Sequence, residues 1–338
     1  MPALIAHYLF GEEALNRGGD ARIDAVQTGS EPARRAFLLG CQGPDPFFFC
    51  FTSVRRSAAH LGGEMHRRRV GEAFDLLRAG VDELGPEARP AGEAFALGLV
   101  AHYVLDRTAH PFVYAQEFEL CGRGGEAGDG TEDDDAESGA AGGAMTADWR
   151  DGLADARSEV HAVIESEIDC GMLAHYRGCS VAQFPPVGVL EKPEGGLLPA
   201  GTLMAKVGRT LFGLDVRPGD YEGAVDDMRL CYSLIEPHGS PRSRRIANLE
   251  RAVRHHSLLE SLAHRADRPE ADARSMNEAR AAWTNPFTGA VSRESFPDLF
   301  ERALGDYPRA VAAFLGDGPF DAFARSLDYS GRPSGADR

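Results

Sequence analysis

The chain has 338 residues, 43% of them hydrophobic, which suits a globular protein with a sizeable core. Its formal net charge of −16 argues against general nucleic-acid binding through a basic face, because such a surface repels phosphate backbones. The sequence has no uncharged span long enough to cross a membrane, no secretory leader, and no CxxC pair among its six cysteines. These features predict a cytoplasmic protein with reduced thiols.

Helices dominate the predicted elements of the N-terminal part. They are expected over residues 4–15, 32–40, 62–84 and 90–110. The segment CQGPDPFFFCF (41–51) carries two prolines and is predicted to be irregular. Pro111 is expected to end the fourth helix and to push His110 away from helical geometry. Residues 122–147 are mostly Gly, Ala and acids, which predicts a disordered acidic insertion.

The remaining chain also favours helices, so the predicted fold class is all-α. Helices are expected over 148–177, 201–213, 221–235, 242–267, 270–283 and 296–327, with a loop over 183–200. We expect residues 1–177 to form a metal-binding helical domain and residues 178–338 to pack on it. The basic segment SPRSRRIANLERAVRHH (240–256) is either a solvated face or a peripheral membrane contact.

The stretch GLVAHYVLDRTAHPFV places His102, Asp106 and His110 four residues apart. Each step turns about 40° around a helix, so the three side chains lie along one face. Imidazole and carboxylate groups are ligands for zinc-class metals. The ends of this line are roughly 12 Å apart, too far for one ion, whereas neighbours at about 6 Å can share one. The spacing therefore predicts two or more metals side by side.

Other candidate ligands lie in segments that combine histidine, carboxylate and apolar cover. They are His7, Asp45, His66, His161 and Glu165. His161 and Glu165 repeat the four-residue step on another predicted helix, which offers a second half-site. A single histidine of this kind is more often a packed, hydrogen-bonded residue than a ligand, so the argument depends on the whole set.

Five motifs, AHYLFG, GPDPFF, GGEMH, HYVLDRTAHPF and HAVIE, follow one another in this order over residues 6–165. In this order they resemble the zinc-dependent phospholipase C family, whose all-helical fold is shared with the S1/P1 nucleases. The resemblance covers roughly residues 1–170, and the C-terminal half carries no assignable motif. It implies an all-α multi-helical domain of this type with additional C-terminal helices.

The resemblance also implies a site for two to three zinc ions. One ion would take Asp45, His66, His102 and Asp106. A second would take His110, His161 and Glu165. A third would take His7 and share Asp106 as a bridging carboxylate. In secreted family members the third ion also uses the amine and carbonyl of an N-terminal tryptophan. This chain begins Met1-Pro2, so we expect the third site to be weaker, completed by water, or empty.

Two close divalent metals favour in-line displacement at a phosphodiester. The leading hypothesis is a phospholipase C-type hydrolase that releases diacylglycerol and a phosphorylated head group from a phospholipid. Asp45 is the candidate general base, and a role as a metal ligand alone stays open. The alternatives are an S1/P1-like nuclease or other phosphodiesterase, and a helical protein that binds metal without catalysis. The aromatic run of Phe47, Phe48, Phe49 and Phe51 is either an apolar rim for the substrate or packed core.

Carboxylates near the ligands are expected to orient the ligand imidazoles through hydrogen bonds. Glu64, Glu167 and Asp169 are the candidates for this role. His264 and five other histidines lack counterparts in the family motifs and are expected to be ordinary residues. Arg107 lies on a different face of its helix from Asp106 and is expected to be structural.

Overall fold

The computed structural model describes residues 3–50, 56–121, 145–254, 257–265 and 269–333. Within these ranges the chain forms fourteen α-helices and one short two-stranded sheet, so the predicted all-α class is confirmed. The helices are α1 (Leu4–Arg17), α2 (Ala21–Thr28), α3 (Glu31–Gly40), α4 (Arg56–Arg67), α5 (Val70–Glu83), α6 (Arg89–Cys121), α7 (Met145–Arg177), α8 (Leu198–Phe212), α9 (Pro218–Ile235), α10 (Pro241–Arg254), α11 (Leu258–Ser261), α12 (Pro269–Ser275), α13 (Phe296–Leu315) and α14 (Asp321–Ala324).

Short 3-10 helices and a hairpin complete the described elements. The 3-10 helices span Asp45–Phe49 and Pro186–Leu190. The strands β1 (Trp283–Thr284) and β2 (Val291–Ser292) pair antiparallel, with Trp283 opposite Ser292. The hairpin was not predicted, because two-residue strands are too short to show a period-two pattern.

Helix α6 is the central element of the fold. Every residue from 94 to 106 is buried, so this helix is covered on all faces. It crosses α3 at very close range, and glycines make this possible. A Cβ atom at Gly98 would lie 2.1 Å from the Phe37 carbonyl oxygen, and one at Gly40 would lie 2.2 Å from that of Phe95. The close crossing holds the chain after α3 beside the middle of α6.

The prediction that Pro111 ends the fourth helix is wrong. Helix α6 continues to Cys121, and His110 keeps helical geometry. Proline removes the amide that would bond the carbonyl of Arg107, four residues earlier. Gly331, in the left-handed region at φ +72°, packs against that carbonyl so closely that a Cβ there would lie 2.5 Å from its oxygen. Tertiary packing on both sides of the helix outweighs the single lost hydrogen bond.

Other boundaries also differ from the sequence-based predictions. The helix expected over 62–84 is divided into α4 and α5 by Arg69, which adopts a left-handed φ of 57°. The helices expected over 242–267, 270–283 and 296–327 are shorter or divided, and α2 was not predicted.

The predicted acidic insertion lies almost wholly outside the described residues, since 122–144 are not described. Its last residues, 145–147, belong to the first turn of α7.

The C-terminal half contributes to the same hydrophobic core as the N-terminal half. Two buried tyrosines show the connection. Tyr221 on α9 donates to the Leu39 carbonyl, and Tyr307 on α13 donates to the Leu97 carbonyl.

All six cysteines are free thiols. None of the helices in the described ranges combines the length and apolarity that a bilayer crossing requires.

Candidate metal centre

The structure brings together all eight side chains that the sequence singled out as ligands. His7 lies on α1, Asp45 begins a 3-10 helix, and His66 lies at the end of α4. Helix α6 supplies the line of His102, Asp106 and His110, and α7 supplies His161 with Glu165. Their ligand atoms form three groups, each within 4.8 Å: His7 with His102 and Asp106, Asp45 with His66 and His102, and His110 with His161 and Glu165.

Asp106 connects the first two groups. Its Oδ1 atom lies 3.0 Å from His7 Nε2, and its Oδ2 atom lies 3.2 Å from His102 Nε2 and 3.6 Å from His66 Nε2. Asp45 also contacts this set, with Oδ1 3.0 Å from His66 Nε2. Asp106 Oδ2 is also 3.6 Å from His110 Nδ1, so one carboxylate lies beside four imidazoles, an arrangement that suits a bridging ligand between two ions.

The third group lies one helical turn further along α6. Glu165 Oε1 is 3.2 Å from His161 Nε2 and 3.5 Å from His110 Nε2. His161 and Glu165 face the same direction because they are four residues apart on α7. The sequence predicted that His102 and His110 on α6 belong to different groups, and the structure places them so.

Four of the five imidazoles share one hydrogen-bonding pattern. The Nδ1 atoms of His66, His102 and His110 donate to the carbonyls of Gly62, Cys41 and Tyr329, at 2.7, 3.0 and 2.8 Å. In the same way, His161 Nδ1 donates to Glu117 Oε2 at 2.8 Å. Because these oxygens can only accept, each Nδ1 carries a proton, and in a neutral ring Nε2 is left with a lone pair. All four Nε2 atoms face carboxylates, which is the tautomer and orientation of a metal ligand.

The spacing of these atoms fits a cation. A tetrahedral zinc ion with ligands at about 2.0–2.1 Å separates neighbouring ligand atoms by about 3.3 Å. The contacts of His102 with Asp106 and of His161 with Glu165 are both 3.2 Å. In addition, His7 Nδ1 and His102 Nε2 are buried without a hydrogen-bond partner among the described residues. Imidazole nitrogens and carboxylates are the donors that zinc prefers, so the residues fit the predicted metal.

Electrostatics keep the carboxylates ionised. Burial alone would raise the pKa of Asp106, but the surrounding imidazoles, that of His110 foremost, hold it well below its ordinary value. At Asp45 burial is likewise outweighed, here by His102 and His66, and the pKa is lowered. Burial would lower the pKa of His66, but hydrogen bonds and charge from the two aspartates raise it to about 9. A cation must therefore displace a proton from His66 at neutral pH.

Helix α1, which carries His7, is attached to α7 through a buried polar chain. Asp169 accepts hydrogen bonds from the amides of Ile5 and Ala6, at 2.9 and 2.7 Å, and so caps the N-terminus of α1. His264 bridges Asp169 Oδ2 at 2.9 Å and Glu236 Oε1 at 2.7 Å. These hydrogen bonds fix the start of α1, one turn before His7, against α7, the helix that carries His161 and Glu165.

We expect His264→Gln to remove a pH-dependent part of the stability. Burial would lower the pKa of His264, but hydrogen bonds to Asp169 and Glu236 raise it to about 9. A raised folded-state pKa stabilises fully below the unfolded value of about 6.5, and the benefit is lost as pH rises towards 9. The free energy of unfolding of the wild type relative to the variant should fall by up to about 3 kcal/mol across this window. Urea unfolding at pH 6, 7.5 and 9.5 measures it.

His175→Gln is the matched control, because His175 is exposed on α7. Its difference from the wild type should be nearly constant over the same pH range. A constant difference for His264→Gln as well would show that folding does not shift the pKa of His264.

Phe48 marks the accessible side of the centre. Its side chain is 38% exposed, and its ring centroid is 5.3 Å from that of His66, the most exposed of the five imidazoles. Phe47 and Phe49 are buried against Tyr221 and Tyr232. The aromatic run therefore contains both a rim and a core component, and Phe51 lies outside the described residues.

The prediction that Glu64, Glu167 and Asp169 orient the ligand imidazoles is wrong. Glu64 pairs with Arg68 at the surface, Glu167 accepts from the Ser275 hydroxyl, and Asp169 caps α1. The observed partners are backbone carbonyls and Glu117. Glu117 could have been found, because it lies seven residues after His110, two turns along the same face of α6.

Tyr329 and His264 carried no sequence signal that linked them to the site. Tyr329 lies more than 200 residues from its partner His110, and backbone carbonyls leave no pattern in a sequence. Arg107 is structural, as predicted, with its guanidinium 3.9 Å from the centre of the Phe323 ring.

Comparisons of this chain with protein-family models, with curated proteins and with solved structures found no match. The candidate centre therefore stands on the contacts described above.

Proposed function

We propose that this protein is a zinc-dependent phosphodiester hydrolase of phospholipase C type. One observation carries the proposal. Four imidazoles, three of them buried and that of His66 partly buried, bond through Nδ1 to protein acceptors and turn Nε2 toward three buried carboxylates, with separations that suit tetrahedral cations. A network built only for stability has no need to repeat this orientation at four of its five rings.

The charge balance of the centre supports an anionic substrate. Asp45, Asp106 and Glu165 contribute three negative charges, so two divalent cations would leave a net charge of one positive and three would leave three. Bound cations at such spacing supply Lewis-acid stabilisation for the oxygens of a phosphodiester. The ligand side chains would hold the cations, and the buried surroundings would exclude competing water.

Asp45 has the position expected of a residue with two roles. It is 2% exposed, and its Oδ2 atom lies 3.9 Å from His102 Nε2 while Oδ1 contacts His66. Pro44 and Pro46 flank it and restrict its backbone. We infer that Asp45 binds the cation that His66 and His102 would also hold, and that it orients the attacking water. Because its lowered pKa makes it a weak proton acceptor, orienting the water is favoured over deprotonating it.

A phospholipid is the favoured substrate class. The partly exposed Phe48 beside His66 offers an apolar contact at the accessible side, which suits an acyl or glycerol portion better than a polar one. The net charge of −16 disfavours long nucleic acids. Peripheral membrane contact through the basic helix α10 is part of the same proposal, and Leu249 on that helix is 71% exposed.

Metal analysis is the first test. Purified protein, reconstituted with zinc and freed of excess, should contain two to three ions per chain by inductively coupled plasma mass spectrometry. A chain that retains no zinc after reconstitution would remove the basis of the proposal.

An activity panel then separates the candidate reactions. The zinc-loaded protein should hydrolyse phosphatidylcholine micelles and a nitrophenyl phosphodiester, and chelation should abolish both activities. Preference for single-stranded DNA would assign the nuclease alternative. Bound zinc without turnover of any substrate would identify a metal-binding protein that does not act as an enzyme.

A further inference from the structure

A tight turn near the C-terminus places Tyr329 against the metal centre. The Asp328 carboxylate accepts from the amides of Ser330 and Arg332, at 2.8 and 2.9 Å, and the Asp328 amide donates to the Arg332 carbonyl. An isolated bridge between Leu327 and Pro333 closes the turn. These local bonds fix the backbone of Tyr329, so its position does not depend on its side chain.

Tyr329 contacts ligands from all three groups. Its amide donates to the His66 carbonyl at 3.0 Å, and its carbonyl accepts from His110 Nδ1 at 2.8 Å. Its ring centroid lies 4.7 Å from that of His66 and 5.6 Å from that of His102. The phenol is 1% exposed. Tyr329 is thus part of the wall of the centre.

The hydroxyl of Tyr329 differs from those of comparable tyrosines. It is buried and has no hydrogen-bond partner among the residues that the structure describes. By contrast, three other buried tyrosines each donate to a backbone carbonyl: Tyr103 to Leu327, Tyr221 to Leu39 and Tyr307 to Leu97. Burying a hydroxyl without a partner is costly, so an unpartnered one indicates an acceptor supplied from outside the chain.

The acceptor must suit a phenol donor in a cation-binding wall. A phenol is protonated at neutral pH and can donate one hydrogen bond. The oxygens of a phosphate group are acceptors only when ionised, they bind cations, and one group offers several. A phosphate oxygen can therefore contact the cations and the phenol together.

We propose that the Tyr329 hydroxyl donates a hydrogen bond to an oxygen of a phosphate-type anion bound at the metal centre. This inference rests on the proposed function, because the anion needs bound cations. It makes Tyr329 a ligand-binding residue that acts on the same group as the metals, from a part of the chain that carries none of the family motifs.

The experiment compares inorganic phosphate binding to zinc-loaded wild type, Tyr329→Phe and Tyr103→Phe by isothermal titration calorimetry. Tyr329→Phe keeps the ring and both backbone contacts and removes only the hydroxyl. Its dissociation constant for phosphate should rise about tenfold or more, as expected for a hydrogen bond to a charged group. Its zinc content should equal that of the wild type.

Tyr103→Phe is the matched control. It also removes a buried phenol hydroxyl, and its ring lies 5.0 Å from that of Tyr329, but that hydroxyl already has a protein acceptor. Its affinity for phosphate should stay within about twofold of the wild type. The zinc-free wild type should not bind phosphate.

Three results would overturn the inference. They are unchanged phosphate affinity in Tyr329→Phe, loss of zinc from that variant, and a zinc-loaded wild type that does not bind phosphate. Loss of zinc would assign the hydroxyl to the metal ligands rather than to the anion. A wild type that holds no zinc is detected before phosphate is added, and it is a failure of the proposed function.

Discussion

Asp106→Asn is expected to abolish phosphodiesterase activity and to lower the zinc content of the reconstituted protein. Asp106 contacts His7 through one oxygen, and His66 and His102 through the other. Asparagine keeps the shape but loses the negative charge and replaces one acceptor with a donor. The fall in activity should exceed the 10–100-fold typical of residues that only orient metal ligands.

Metal content and activity are measured together, beside His7→Ala and Glu93→Gln. His7→Ala should lose less zinc, because His7 contributes to one group only. Glu93 lies on the same helix and pairs with Arg22 at the surface, so its substitution should change neither quantity. If Asp106→Asn and His7→Ala show equally small effects, Asp106 does not bridge two ions.

Gly43→Ala is expected to displace His102 and to remove zinc from the groups that contain His102. Gly43 has a left-handed φ of 56°, and a Cβ there would lie 2.3 Å from His102 Cδ2 and 2.5 Å from Cγ. His102 cannot move away easily, because it is fully buried on α6 and bonded to the Cys41 carbonyl. Overpacking and left-handed strain together should lower the free energy of unfolding by about 2–4 kcal/mol.

Gly213→Ala separates the two causes. Gly213 has a similar φ of 66°, but no atom lies within 4 Å of a Cβ placed there. Its substitution should cost only the conformational strain of about 1–2 kcal/mol, and the protein should keep its zinc. Calorimetric unfolding and zinc analysis of both variants give the answer. Equal losses in the two would mean that contact with His102 has no part in the effect.

The ligand set was predictable because helices impose a short, regular spacing on it. His102, Asp106 and His110 stand on one face of α6, and His161 with Glu165 repeats the four-residue step on α7. The family motifs added the isolated residues His7, Asp45 and His66, and the structure places these beside the others.

Helix boundaries were less predictable, because they depend on contacts between distant segments. Pro111 has every local property of a helix end, yet α6 passes through it where Gly331 packs against the exposed Arg107 carbonyl. Arg69 divides a predicted helix through a left-handed backbone that its composition does not indicate.

The sequence by itself determined the all-α class and the eight candidate ligands, because helical periodicity and ligand chemistry are both written in residue types and spacings. Only the tertiary structure decided what orients those ligands. The carbonyls of Cys41, Gly62 and Tyr329 accept from three of the imidazoles, and every residue of a protein offers a backbone carbonyl with the same chemistry. Which carbonyl meets which imidazole is fixed by the packing of the chain, a property of the whole fold that no local pattern records.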